Sequence, residues 1–164
     1  MSTACQLTQM ITVAQGNSFT VEGDSTRPED LYVLLAPSGT PTDAVPKRHF
    51  KVAGSLTLRY LQLEGGAVRA GYYYCSDDSC FGGSIFVSGA GSTLVVLHVF
   101  IDGLLSSIAA DARSTMRAQR GSGLYATDGA TVQVTQSTFT NLKVCESGGA
   151  AYISGSSTTA TFAQ

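Results

Sequence analysis

Three consecutive tyrosines, Tyr72, Tyr73 and Tyr74, run into Asp77 and Asp78 in a polar, turn-rich stretch. Arg113, Arg117 and Arg120 follow further along the chain. Tyrosine and arginine are enriched at binding hot spots, because each offers a rigid flat surface with a polar end. A tyrosine ring also stacks well on the face of a sugar. These residues form the candidate binding set. Cys75 and Cys80 bracket Ser76 to Ser79, a spacing that admits a short disulfide loop suited to an oxidising compartment. As a zinc site the pair lacks two further ligands at matched spacing. Cys5 and Cys145 have no obvious partner.

Catalysis would need more than the sequence offers. His49 and His98 stand apart from any local nucleophile signature. The chain has no P-loop, no GxGxxG after a strand, no HExxH and no CxxC. No catalytic residue, metal site or cofactor is assigned.

The elements that must position these side chains repeat. Leu56, Leu58, Leu61 and Leu63 recur as Leu94, Val96, Val99 and Ile101, and again as Val132, Val134, Ser137 and Phe139. A fourth copy begins at Thr158, where the alignment sets Thr159 against Val132. Each pair of alternating apolar residues marks one face of a strand. The phase slips by one residue between the pairs, which places a corner at Tyr60, His98 and Gln136. A second short strand follows Gly82-Gly83, Gly121-Ser122-Gly123 and Gly148-Gly149. Glycine there permits a tight turn that a side chain would block.

Each repeat is thus three short strands, and no single repeat can bury its own inward side chains. Stacking neighbours buries them, which is the logic of a solenoid. Leu63, Ile101 and Phe139 should form one ladder, and Phe86, Tyr125 and Tyr152 another. Residues 67–81 and 104–120 lengthen the same connection in two successive repeats. They should lie side by side on one flank and carry the binding set there.

The stretch from Arg48-His49-Phe50-Lys51-Val52 through Leu56-Thr57-Leu58 to Gly65-Gly66 resembles right-handed parallel β-helix proteins of the pectate-lyase-like superfamily. Gly82-Gly83-Ser84-Ile85 and Gly148-Gly149-Ala150-Ala151 are similar to the GGA-type repeats of polymorphic outer-membrane-protein-like surface proteins. Their companion FxxN motif is not matched, since Phe139-Thr140-Asn141 is one residue short. The resemblance implies an all-β, right-handed parallel β-helix of roughly four rungs. Residues 48–164 would form its repeats and residues 1–47 an irregular N-terminal rung or cap. It also implies an extracellular or cell-surface module for structure, adhesion or carbohydrate binding, with glycans or another surface protein as partners. A partial carbohydrate-active enzyme is the alternative. Such enzymes stack carboxylates outward on successive strands. The outward positions here read Gln62, Phe100, Thr138 and Thr57, Val95, Gln133. Only Glu64 and Asp102 fall in register.

Composition agrees with a coil of strands and small-residue corners. Charged residues are 13 % of the 164, where a globular chain carries about 25 %. The difference is filled by 18 Gly, 19 Ser and 18 Thr. A net charge of −2 argues against a nucleic-acid partner. No apolar run is long enough for a transmembrane helix. Met1 to Gln9 lack the basic and apolar regions of a signal peptide. The alternation still running at Ala160 to Gln164 predicts a piece of a longer solenoid. A threonine-bearing solenoid face suits ice only when outward threonines match on every rung. The column Thr57, Val95, Gln133 does not match, and Thr131, Thr135, Thr138 and Thr140 share one rung.

Overall fold

The computed structural model describes residues 4–24, 31–38, 47–66, 68, 80–103, 118–142 and 144–164. Within them the chain is all β. The strands are β1 (Ala4–Gln6), β2 (Ile11–Val13), β3 (Ser18–Glu22), β4 (Tyr32–Leu35), β5 (Phe50–Val52), β6 (Ser55–Glu64), β7 (Ile85–Ser88) and β8 (Thr93–Asp102). They continue as β9 (Ala118–Arg120), β10 (Leu124–Thr127), β11 (Thr131–Thr135), β12 (Thr138–Thr140), β13 (Val144–Ser147), β14 (Ala151–Ile153) and β15 (Thr159–Ala163).

Every strand pairing among the described residues is parallel. The largest sheet runs β1-β4-β6-β8-β11-β15, with β3 also on β6 and β12 also on β8. A five-stranded sheet runs β14-β10-β7-β5-β2, and β13 pairs with β9 alone. The chain returns to these sheets in a fixed order, so each strand lies on the one a repeat earlier.

The apolar alternation drives this arrangement. Leu56 pairs with Leu94 and Leu94 with Val132, at the expected spacing. Leu63, Ile101 and Phe139 also stack in register. These side chains join Phe50, Val52, Ile85, Val87, Leu124 and Ala126 from the five-stranded sheet in one buried cluster. The last repeat corrects the expected register by one residue. Val132 pairs with Ala160, and Thr131 with Thr159. The cause lies in the turns. Tyr125 pairs with Tyr152, 27 residues on, whereas Thr131 pairs with Thr159, 28 residues on. The connection after β14 therefore holds one residue more than that after β10.

The phase slip is a left-handed corner. Tyr60, His98 and Gln136 have φ of 51°, 50° and 48°, a conformation that costs a non-glycine residue roughly 1–2 kcal/mol. Stacking offsets part of that cost, since the Tyr60 and His98 rings lie 5.2 Å apart and 15° from parallel. In the third repeat the inward position after the corner is Ser137. Its hydroxyl donates to the Thr135 carbonyl at 2.8 Å and accepts from the Val99 amide at 3.1 Å. The ladder is interrupted there, so β11 and β12 are separate while β6 and β8 run unbroken.

The repeated glycines do what their spacing predicts. Gly82, Gly121 and Gly148 all have positive φ, at 64°, 60° and 71°. A β-carbon on Gly121 would sit 2.2 Å from the Leu124 carbonyl oxygen. Gly121→Ala should therefore destabilise by about 2 kcal/mol, combining backbone strain with a displaced carbonyl. Gly16 also has positive φ but meets nothing within 4 Å, so Gly16→Ala should cost clearly less. Urea unfolding of the two variants in parallel checks the difference.

Candidate functional site

The outward face of the five-stranded sheet carries an aromatic column. Side chains alternate along a strand, so with Ile85 and Val87 turned to the core, Phe86 faces away. Phe86, Tyr125 and Tyr152 occupy equivalent positions on β7, β10 and β14. The Phe86 and Tyr125 rings lie 5.5 Å apart and 3° from parallel. Tyr125 and Tyr152 lie 5.5 Å apart at 11°. The predicted ladder is therefore formed. Phe81 adds a fourth ring, 4.7 Å from Tyr125.

Cations edge this column. Arg48 Cζ lies 5.0 Å from the Phe86 centroid and Lys51 Nζ lies 5.9 Å from it. Arg120 Cζ lies 5.3 Å from the Tyr152 centroid and 5.9 Å from that of Phe81. Ring quadrupoles attract such cations by about 0.5–1 kcal/mol at exposed sites. Phe86 and Tyr125 are buried, whereas Tyr152 and Arg120 are half-buried. The ligand-accessible part is thus the Tyr152–Arg120 end. A flat ring beside a guanidinium can stack a sugar and donate hydrogen bonds to its hydroxyl or carboxylate oxygens. Tyr125 is held by its hydroxyl, 3.2 Å from Ser154 Oγ.

Of the candidate binding set, Arg120 is brought to this column. Tyr72, Tyr73, Tyr74, Asp77, Asp78, Arg113 and Arg117 lie outside the described residues. Cys80 is buried and disulfide-bonded; Cys75, its expected partner, lies outside the described residues. Cys5 is a free, exposed thiol.

The remaining chemistry is structural. Glu64, Asp102 and Thr140 stand in register, and Asn141 Nδ2 donates to Asp102 Oδ1 at 2.9 Å. Among the described residues no group of three or more His, Cys, Asp or Glu comes together as a metal cage. His49, left without a role by the sequence, is fully buried. Its Nε2 lies 3.0 Å from the Leu34 carbonyl oxygen, which can only accept, so Nε2 carries the proton. Nδ1 therefore accepts, and the Ser84 hydroxyl donates to it at 2.8 Å. Burial lowers its pKa from the ordinary 6.5 to about 4, against the weaker pull of backbone hydrogen bonds with Leu34 and Glu64. Serine and histidine are both sealed from solvent, so the pair cannot serve as a nucleophile and its base. What signalled it was two cationic residue types, Arg48 and His49, placed directly before an apolar strand. No protein-family model, curated protein or solved structure matches this chain.

Proposed function

We propose that this chain forms a right-handed parallel β-helix that acts outside the cell or at its surface as a non-catalytic module. It resembles pectate-lyase-like repeat proteins in its sequence pattern. The module binds glycan at the Tyr152–Arg120 end of the aromatic column. The single observation that carries this reading is the in-register stack of Phe86, Tyr125 and Tyr152 with Arg120 over its last ring. The disulfide at Cys80 supports an oxidising compartment. The outward positions Gln62, Phe100 and Thr138 supply no stacked carboxylates of the kind that break glycosidic bonds.

A glycan array probed with the intact chain tests this, alongside a polygalacturonate cleavage assay. Tyr152→Ala and Arg120→Ala should each weaken binding to any glycan captured by at least tenfold, the scale of a hot-spot contact. Thermal unfolding should confirm that both variants fold. Unchanged binding in both would move the site elsewhere, and cleavage of polygalacturonate would replace the module with an enzyme.

A further inference from the structure

The outward face of the large sheet carries a second regular array, which begins two residues before the column Thr57, Val95, Gln133. Ser18 pairs with Ser55, Ser55 with Thr93, Thr93 with Thr131 and Thr131 with Thr159. A hydroxyl therefore stands at the same position on all five of β3, β6, β8, β11 and β15. Two residues further on, and so on the same face, the column reads Thr20, Thr57, Val95, Gln133 and Thr161. Eight of these ten side chains bear a hydroxyl, and none is charged. None of the ten is buried. The first charges, Glu22 and Arg59, appear at the next outward position.

The array is periodic in two directions. The residues that bear the hydroxyls recur at about 4.8 Å from strand to strand and about 6.6 Å along each strand. The register holds without a shift through all four pairings. The Thr159 and Thr131 hydroxyls lie 3.5 Å apart, so the ladder's own oxygens approach hydrogen-bonding distance.

We propose that this hydroxyl-bearing face binds ice, with a hydroxyl rather than threonine alone being what must match on every rung, as it does throughout the first column. Oxygen rows in hexagonal ice repeat at distances comparable to both spacings of the array. Hydroxyls can hold one layer of water in that lattice, while threonine methyls order the water between them. An ionic side chain would organise its own hydration shell instead, and the ten positions hold none. A crystalline polysaccharide is also flat and uncharged, but proteins grip sugar rings through aromatic stacking, and the ten positions hold no aromatic ring. Val95 and Gln133 are the two mismatches in the lattice.

The purified chain is tested for partition into a growing ice front, shaping of single ice crystals and a gap between melting and freezing points. Wild type should partition and shape crystals. The pair Thr93→Lys with Thr131→Lys places two charges at the centre of the array and should abolish both effects while the thermal unfolding midpoint is preserved. Val95→Thr with Gln133→Thr completes the second column and should widen the freezing gap at least twofold. Wild-type protein that neither partitions nor shapes crystals overturns the proposal. So does activity that survives the folded lysine pair, or retention on crystalline cellulose or chitin in place of ice.

Discussion

Leu58→Asp is expected to leave the chain without a cooperative unfolding transition. Leu58 is fully buried and pairs with Val96 on one side and Val21 on the other. Removing a buried leucine alone costs roughly 2–5 kcal/mol. A carboxylate in the same place has no cation to meet, because its neighbours are the aliphatic ladder. The sum reaches most of the roughly 5–15 kcal/mol that holds a domain together. Leu58→Ala should remain folded but weakened, and Thr57→Asp, on the outward side of the same strand, should change stability by less than about 1 kcal/mol. Far-UV circular dichroism with urea titration separates the three. An aspartate at position 58 as stable as wild type would mean that the face assignments along β6 are reversed.

Acid should weaken the fold through His49. Its folded pKa, about 4, lies below its ordinary 6.5. Above pH 6.5 both folded and unfolded states hold it neutral, and its contribution is fully present. Between pH 6.5 and 4 the unfolded chain takes up a proton that the folded chain refuses, so stability falls as pH falls. The loss should approach roughly 3 kcal/mol near pH 4 and grow no further below it. The physical cost is a charge taken out of water, since His49 is fully buried. Carboxylates titrate in the same range, so the informative quantity is the difference between wild type and His49→Asn. The variant should be less stable at pH 7 but flatter with pH. Parallel curves for the two proteins would rule out His49 as the cause.

Much of the architecture is legible because parallel in-register stacking converts equal spacing into contact. Once Leu56, Leu94 and Val132 align, so do their neighbours, and the aromatic ladder follows with 39 residues between Phe86 and Tyr125, one more than the 38 between Leu94 and Val132. Spacing reads poorly where turns change length. The one-residue difference between the turns before β11 and β15 displaced the last repeat. The corner at Tyr60, His98 and Gln136 was visible as a slip of phase, but its left-handed backbone was not, because none of the three is glycine. The His49–Ser84 pair unites residues 35 positions apart. Nothing local marks such a partner. The column Ser55, Thr93 and Thr131 escapes a sequence reading for a different reason. Alternation directs attention to the apolar members of each strand, and Ser55, Thr93 and Thr131 sit just before the first of them.

That same one-residue difference bears on how such a chain can change over generations. Between Tyr125 and Thr131 the path is one residue shorter than between Tyr152 and Thr159, yet both ends remain in register. Turn length and strand register are therefore set separately in this chain. A deletion in a turn leaves the faces intact, whereas the same deletion within a strand would invert every side chain beyond it. Each column of side chains can therefore be altered by point substitution without changing the turns that join the strands.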